Sequence, residues 1–517
     1  MAVNILWADD EIELLKPHLI FLKEKGYDVA TATNGNEAID LIKDKLFDVV
    51  LLDENMPGLS GLETLNIIKN LKPALPVIMI TKSEEESIME DAIGSKIADY
   101  LIKPVNPNQI LLSLKKTLDN KRLITAKTVL NYQQEFRQLG MALSNRLDHH
   151  EWIELYKKMT YWELELEKSK DDSLNEILKM QKVEANSLFS DYVEDNYTDW
   201  LAGKTEDKPV FSHTVFKEKC IPILKKHEKT FIILIDNLRF DQWKILQPRF
   251  EELFNIEIED LYFSILPTTT EYARNAFFAG LVPIDIMKKY PQYWDNGEDE
   301  SSRNRFEMEL LGEQLKRNGL NIKFHYNKIL TLSAGKKFAE NIDNYLNANL
   351  NVLVYNFVDM LSHARTEMEV IKELVDDEAA YRSLTLSWFD HSPLTDIINH
   401  LHYKKINVII TTDHGSIKVS NPLKVIGDKN TNANLRFKTG KSLQYEKKEV
   451  LDVSNPAMAY LPQDNVSSRF IFAKKDGFFV YPNNYNYYVN YYRNTFQHGG
   501  ISLEEMIVPF VFLRPKS

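Results

Sequence analysis

Short apolar runs alternate with amphipathic stretches along the first part of the chain. The runs are Ile5–Ala8, Val29–Ala32, Val49–Leu52, Val77–Ile80 and Tyr100–Ile102. The stretches between them repeat apolar residues at the three- and four-residue spacing of a helix that buries one face. Strands that alternate with helices predict βαβ units and a parallel sheet. We therefore expect an α/β fold whose first domain, residues 1–120, is a doubly wound (βα)5 sheet.

The pattern changes twice beyond residue 120. Proline is absent from Asn108 to Lys208 and apolar residues keep helical spacing there, which predicts a helical connector or small bundle over residues 121–208. Long apolar runs without alternation follow, and these are typical of strands covered on both faces. They are Phe231–Ile235, Val352–Phe357, Val408–Thr412 and Ile507–Phe512. We expect a second α/β/α domain over residues 209–517.

Composition limits the binding partners, the metal ligands and the cellular compartment expected for the protein. The 517 residues carry a formal net charge of -12, which argues against wholesale binding to nucleic acid or to an anionic membrane. Cys220 is the one cysteine, so an intramolecular disulfide is excluded, and metal ligands would have to be Asp, Glu, His or hydroxyl groups. No apolar run is long enough to span a bilayer, and the start at Met1 does not resemble a signal peptide. We expect a cytoplasmic protein without membrane insertion.

Acidic side chains stand at two strand ends of the first domain. Asp9 and Asp10 follow the first predicted strand, and Asp53 follows the third. The carboxyl ends of parallel strands form the ligand crevice of such a sheet, and carboxylates grouped there favour a cation such as Mg²⁺. Thr81 and Lys103 stand at the ends of the fourth and fifth strands. Helix N-caps would explain one aspartate, but not this whole set.

These five residues, in this order, resemble the receiver domain of bacterial response regulators over about the first 120 residues. The resemblance implies a two-component system in which a sensor histidine kinase phosphorylates Asp53. It also implies that Mg²⁺ is bound by the side chains of Asp10 and Asp53 and by the backbone carbonyl of Asn55, with Asp9 helping through water.

The remaining receiver positions also follow the family, with one departure. Thr81 and Lys103 are the implied contacts of the phosphoryl group, and Tyr100 matches the aromatic switch position. Lys82 stands where the family usually has a small residue, so its long side chain would restrict access to the phosphoryl group. The implied output face is Glu84–Leu118, and pairing of this face would form a homodimer on phosphorylation.

Five motifs of the second domain carry side chains that bind metals. In chain order they are Ile233–Arg239, Leu266–Glu271, Val358–His363, Thr411–Gly415 and Gln497–Pro509. Together they supply three aspartates, three histidines and a threonine hydroxyl, a set that can hold two Zn²⁺ ions. Mn²⁺ would suit its oxygen-rich half. Each motif alone is equally well explained by a polar pair, a turn or a helix cap, but five in one order favour a metal site.

The spacing and order of these motifs resemble the alkaline phosphatase superfamily, and most closely its PglZ branch, over residues 210–517. The implied ligands of one metal are Asp359, His363 and His498. The implied ligands of the other are Asp236, Asp413, His414 and Thr270, and Thr270 is also the implied catalytic nucleophile. With its receiver, the chain is similar to response regulators associated with type IX secretion and gliding, which makes secretion or transcription components expected partners.

Three segments bear on the substrate. Pro267–Thr270 is similar to the Pro-Thr-x-Thr element of nucleotide phosphodiesterases, and Arg274, one helical turn further, would either clamp a phosphate oxygen or form a surface ion pair. Residues 421–448 carry seven lysines and arginines against two acids, a basic segment that would attract a phosphate backbone. Tyrosines 485, 487, 488, 491 and 492 would stack on bases or pack within a strand or interface.

Three functions are therefore compatible with the sequence. The first is a regulated two-zinc phosphodiesterase that acts on nucleotides or oligonucleotides. The second is a metal-binding effector that works through protein partners without catalysis. The third is a phosphomonoesterase or sulfatase of the same superfamily. Nothing in the sequence shows how Asp53 would influence Thr270.

Overall fold

The structure is a computed structural model that describes residues 3–73, 75–82, 97–169, 172–294, 304–368, 377–428, 431–463 and 467–517. Contacts group the chain into two compact units, residues 1–133 and 134–517. Part of the predicted output face, residues 84–96, lies outside the described residues, and so does Lys429 of the basic segment.

The first unit contains a parallel sheet with the strand order β2-β1-β3-β4-β5. Its strands are β1 (Val3–Ala8), β2 (Tyr27–Ala32), β3 (Val49–Asp53), β4 (Val77–Thr81) and β5 (Asp99–Ile102). Each of the five predicted runs is a strand. Helices α2 (Gly35–Asp44) and α3 (Gly61–Leu71) cover one face, while α1 (Lys16–Glu24) and the start of α4 (Pro107–Leu143) cover the other. The doubly wound prediction is confirmed.

The predicted connector is helical, as expected, but it is not a free-standing linker. After α4 come α5 (His149–Ser169) and α6 (Asp172–Leu201). Trp152 of α5 meets Phe189 of α6 with ring centroids 5.3 Å apart, and Phe189 lies 5.8 Å from Phe263 of the following domain. The helices therefore share a hydrophobic core with the α/β domain that follows them.

The second unit is built on a mixed sheet with the strand order β7-β18-β10-β6-β9-β8. Its strands are β6 (Thr230–Ile235), β7 (Phe254–Phe263), β8 (Phe324–Ile329), β9 (Leu350–Tyr355), β10 (Asn407–Thr411) and β18 (Ile507–Pro515). Strands β10, β6, β9 and β8 are parallel, and β18 is antiparallel to β10 and β7. The four predicted runs are strands except at two ends: β9 stops at Tyr355, so that Phe357 begins a helix instead, and β10 stops one residue before Thr412.

Helices cover both faces of this sheet. They are α7 (Ser212–Val215), α8 (Ile221–Lys226), α9 (Phe240–Glu251), α10 (Asn275–Ala279), α11 (Pro283–Lys289), α12 (Glu307–Arg317), α13 (Leu332–Glu340), α14 (Phe357–Glu367), α15 (Glu378–His391), α16 (Pro393–Tyr403) and α18 (Leu503–Met506). A further helix, α17 (Tyr485–Tyr492), packs instead on short strands that precede it. Among the described helices, none is both long and apolar enough to cross a membrane.

Smaller sheets lie between β10 and β18. Their strands are β11 (Ile417–Lys418), β12 (Asn421–Lys424), β13 (Phe437–Gly440), β14 (Val450–Val453), β15 (Arg469–Ala473), β16 (Gly477–Val480) and β17 (Phe496–Gln497). They pair as β11-β17, β12-β16 and β13-β15-β14. The described residues between the last two motif-bearing segments thus pair into small sheets separate from the main sheet.

Candidate active site

In the first unit, three carboxylates meet at the carboxyl ends of β1 and β3. Ligand oxygens of Asp9, Asp10 and Asp53 lie within 4.8 Å of one another. The Lys103 ammonium lies 2.9 Å from Asp9 Oδ2 and 3.0 Å from Asp53 Oδ1. Burial raises the pKa of Asp53 to about 6, although the hydrogen bond from Lys103 opposes the rise. The three carboxylates fit a magnesium site, because their mutual repulsion is relieved by a divalent cation.

The positions of the other predicted receiver residues do not test the roles predicted for them. The hydroxyl of Thr81 donates to the carboxylate of Glu54, a residue that sequence analysis did not single out. Lys82 is largely exposed and lies 3.7 Å from Glu11. Asn55 and Tyr100 are also exposed. The roles assigned to Thr81, Asn55 and Tyr100 therefore stay predictions.

In the second unit, the predicted metal ligands form two neighbouring clusters. In each cluster, one ligand atom per residue lies within 4.8 Å of the others. The first contains Asp359 and His363, one turn apart on α14, together with His498, which follows β17. The second contains Asp236, which follows β6, and Asp413 and His414, which follow β10. The carboxyl edge of the parallel strands thus brings together segments far apart in sequence.

Thr270 lies at the second cluster. It begins a single π-helical turn, Thr270–Arg274. Its Oγ1 lies 3.2 Å from Asp236 Oδ1 and 3.2 Å from His414 Nε2. Asn304 donates to the Thr270 carbonyl at 3.0 Å and so holds the backbone of this turn. A hydroxyl in this position can join the second cluster as a metal ligand.

Backbone carbonyls orient two of the imidazoles. Nδ1 of His414 is 3.1 Å from the carbonyl oxygen of Gly415, and Nδ1 of His498 is 3.3 Å from that of Thr268. Since a carbonyl oxygen only accepts, Nδ1 carries the proton in both rings. Nε2 is then free to bind a metal, the arrangement that metal-binding histidines commonly show. The two rings stack with centroids 4.4 Å apart, so the two clusters are adjacent.

The charges of the clusters depend on one another. Burial raises the pKa of Asp236 well above its usual value, although Arg274 opposes the rise. Burial alone would lower the pKa of His498, but the Asp359 carboxylate raises it to about 9. Burial lowers the pKa of His414 to about 4. A group of buried carboxylates and a neutral imidazole is a donor set that fits zinc.

Arg274 is not on the surface, so its alternative prediction as a surface ion pair is wrong. Its side chain is 1% exposed, and it pairs with Asp236 at 2.9 Å and with Glu307 at 2.8 Å. Nε is also 3.7 Å from Asp413 Oδ2. The sequence did not single out Glu307, because it belongs to none of the five motifs and lies far from Arg274 along the chain. Arg274 compensates carboxylates of the second cluster, and its role as a phosphate clamp stays a prediction.

Comparison with known protein families agrees with this geometry. The family model of the BREX system PglZ alkaline phosphatase-like domain matches residues 215–513, more than half of the chain. The chain belongs to the PglZ alkaline-phosphatase-like family. A response regulator receiver domain matches residues 5–115, and a PorX response regulator linker domain matches residues 122–201. The three-part architecture predicted from the sequence is confirmed, while the boundaries at residues 120 and 208 stay predictions.

Individual relatives resemble only part of the chain. The transcriptional regulatory protein ZraR of Escherichia coli O157:H7 is 33% identical over 140 residues, which are 27% of this chain and 32% of that protein. The alginate biosynthesis transcriptional regulatory protein AlgB of Pseudomonas syringae pv. tomato is 34% identical over 120 residues, or 23% of this chain and 27% of that protein. The chain thus spans about a third of the length of these curated relatives.

One solved structure aligns with a similar fraction of this chain. The CheY-like receiver domain protein from Methanospirillum hungatei is 28% identical and aligns with 23% of this chain and 96% of its own, with a TM-score of 0.23.

The PglZ motif His-Gly-Gly-x-Ser-x-Glu-Glu is largely explained by loop structure. Glu505 is buried and accepts from the backbone of Gly500 at 2.9 Å, from Ser502 at 2.7 Å and from Arg436 at 2.6 Å. A Cβ on Gly415 would lie 2.0 Å from the backbone oxygen of Glu504. The Glu505 side chain therefore holds the loop of His498, and the close approach of Gly415 to the Glu504 backbone places this loop against the Asp413-His414-Gly415 segment.

Burial changes the interpretation of the basic segment. Arg436 is fully buried in its pair with Glu505, and Lys438 is 1% exposed, with its ammonium donating to the Asn432 carbonyl at 2.8 Å. These two cations are structural and cannot face a phosphate backbone. The tyrosines lie on α17 and not in a strand, and Tyr487 is 63% exposed. Base stacking by this helix stays a prediction.

Glu505→Ala tests the support of the His498 loop. The substitution leaves the Arg436 guanidinium buried without its carboxylate, which we expect to cost about 3–5 kcal/mol. The denaturant midpoint of the unfolding transition of residues 134–517 should fall accordingly. The exposed Glu446→Ala is a surface control, and an equal, small shift in both variants would contradict this role of Glu505.

Proposed function

We propose that this chain is a two-component response regulator whose PglZ domain hydrolyses phosphodiesters with two bound zinc ions. The main support is the position of Thr270, whose hydroxyl oxygen lies 3.2 Å from both Asp236 Oδ1 and His414 Nε2. A hydroxyl beside two candidate ligands of one metal, next to a second ligand cluster, is the arrangement that an in-line displacement requires.

Each residue then has a defined part in the reaction. The two ligand clusters would hold metals, which would supply positive charge to the attacking and leaving oxygens and lower the pKa of the Thr270 hydroxyl. Thr270 Oγ1 would pass its proton to water and attack phosphorus, while the other ester oxygen leaves from the opposite side and takes up a proton from water to become the alcohol. Water would then hydrolyse the phosphodiester formed on Thr270, which regenerates the hydroxyl and releases a phosphomonoester. Asp236 and His414 orient the hydroxyl, and the Asn304 hydrogen bond fixes the backbone of Thr270.

Charge favours a diester over a monoester. A monoester carries about one more negative charge at neutral pH than a diester. The buried cation beside the site, Arg274, is already paired with Asp236 and Glu307. A nucleotide or a short oligonucleotide is therefore the proposed substrate, in agreement with the Pro-Thr-x-Thr element at Pro267–Thr270. Mn²⁺ in place of zinc is the alternative to be tested by metal reconstitution.

Helix α6 offers a route by which the receiver would control the PglZ domain. Tyr197 of α6 accepts a hydrogen bond from the backbone N–H of Leu266, just before the Thr270 turn, at 2.8 Å. Asn186 of α6 accepts from the backbone N–H of Leu503 at 2.8 Å and donates to Glu504 at 3.0 Å. One helix thus holds both the loop of the nucleophile and the loop of His498. A movement of α6 would change the spacing of the two clusters.

The remaining parts of the proposal concern partners. The receiver domain implies a sensor histidine kinase as phosphoryl donor. As the resemblance to response regulators of type IX secretion implies, the proposed downstream partners are secretion or transcription components, and the receiver would form a homodimer on phosphorylation. We place the protein in the cytoplasm, where a sensor kinase would reach Asp53.

Thr270→Ala tests catalysis. With zinc-loaded protein and bis-nitrophenyl phosphate, we expect nitrophenol release to fall by at least about 10³-fold, because no nucleophile remains. Thr270→Ser keeps a hydroxyl and should keep measurable activity. Thr269→Ala is the matched control, since its buried hydroxyl has no hydrogen-bond partner among the described residues. Equal background release by wild type and Thr270→Ala would leave the domain as a non-catalytic effector.

Asp53→Ala tests the regulation. A phosphoryl donor such as acetyl phosphate should change the diesterase rate of wild type at least about fivefold, the lower end of common coupling energies. Asp53→Ala should not respond, whereas the exposed Asp28→Ala should respond like wild type. A wild-type rate that is unaffected by full phosphorylation would refute control of the PglZ domain by the receiver.

A further inference from the structure

A second cation lies beside the proposed catalytic site. Lys328 belongs to β8, and its ammonium is 3.4 Å from Glu307 Oε2, while 26% of its side chain is exposed. Arg274 binds the other oxygen of the same carboxylate at 2.8 Å. Glu307 thus links Lys328 to Arg274, which in turn pairs with the proposed metal ligand Asp236 at 2.9 Å.

Glu307 cannot compensate both cations. Its carboxylate accepts from Arg274, from Lys328 and from the hydroxyl of Tyr326. The other carboxylates beside Arg274 are those of Asp236 at 2.9 Å and Asp413 at 3.7 Å, and a bound metal would need the charge of both. Among the described residues, Glu307 is the one carboxylate within ion-pair distance of Lys328. Burial, followed by the charge of Arg274, lowers the pKa of Lys328, while Glu307 and Asp236 oppose this shift.

The sheet places Lys328 at the same edge as the catalytic residues. In the strand register, Lys328 of β8 is level with Val354 of β9, and Val354 is level with Leu234 of β6. Asp236 follows two residues after Leu234. The ammonium therefore stands two strands away from Asp236, on the side of the sheet where Glu307 and Arg274 lie, and it is the partly exposed member of that group.

We propose that Lys328 binds a second phosphate group of the substrate, one that flanks the scissile diester. This inference rests on the proposed phosphodiesterase function and narrows it to substrates with more than one phosphate, such as oligonucleotides. An ammonium is a point charge that binds phosphate oxygens without a fixed geometry. A flanking phosphate would supply the negative charge that Glu307 alone does not provide.

A pair of matched dinucleotides isolates this contact. Dithymidine monophosphate has a single diester, and its 5′- and 3′-phosphorylated forms add one phosphate to the same bond. For zinc-loaded wild type we expect KM to be about tenfold lower for a phosphorylated form, as one charge-assisted hydrogen bond allows. Lys328→Ala should remove this preference by raising KM for the phosphorylated form, with kcat and the KM of the plain dinucleotide unchanged. Lys328→Arg should restore most of it.

Lys244→Ala is the control. Lys244 has nearly the same exposure, 27%, and its own carboxylate partner, Glu259 at 3.1 Å, so its removal should leave the preference intact. If Lys328→Ala lowered kcat/KM equally for the plain and the phosphorylated dinucleotides, the role of Lys328 would be merely structural and the proposal would be overturned. A wild type that does not distinguish the plain from the phosphorylated dinucleotides would also overturn it.

Binding separates this inference from the proposed function. Zinc-loaded Thr270→Ala should bind a labelled phosphorylated dinucleotide about tenfold more tightly than the plain one, and Thr270→Ala/Lys328→Ala should bind the two equally. If wild type turns over no diester but the binding preference depends on Lys328, the phosphate site stands and the catalytic proposal fails. If Thr270→Ala shows no preference, the phosphate site is refuted, whatever the turnover.

Discussion

Two buried carboxylates, those of Asp236 and Asp413, and the partly buried carboxylate of Asp359 meet at the carboxyl edge of the second sheet. Removing such charges from water costs several kcal/mol each unless positive charge surrounds them. The chain provides part of that charge through Arg274 and His498. The rest is what a pair of divalent cations would supply. Much of the surrounding structure follows from this requirement.

The supports of the site follow the same logic. The loop of His498 is held by the buried pair of Glu505 and Arg436, and the turn of Thr270 is held by Asn304. Helix α6 connects the two through Tyr197 and Asn186. The middle helices are thus part of the framework of the second unit, and not only a spacer between two domains. Because α6 contacts the segments that carry Thr270 and His498, we propose it as the route of a signal to the two ligand clusters.

The sequence was most informative where residues follow buried strands. Asp9, Asp53, Asp236 and Asp413 each stand at the carboxyl end of an apolar run, so topology alone brings them to a crevice. Strands β7 and β8 were missed because they lie at the two edges of the sheet and are partly exposed, which removes the continuous apolar signal.

Side-chain pairings between residues far apart along the chain could not be predicted from the sequence. The partner of Arg274, Glu307, belongs to no motif, and neither does Glu54 beside Thr81. The basic segment was interpreted as a surface because sequence shows charge but not burial, whereas Arg436 is fully buried.

Anomalous X-ray scattering at the zinc edge from zinc-loaded crystals tests the central claim most directly. The account predicts two adjacent zinc ions, one bound by Asp359, His363 and His498, and one bound by Asp236, Asp413 and His414 with Thr270 Oγ1 in its coordination sphere. Zinc at only one cluster, or a Thr270 hydroxyl outside the coordination sphere of both ions, would contradict it.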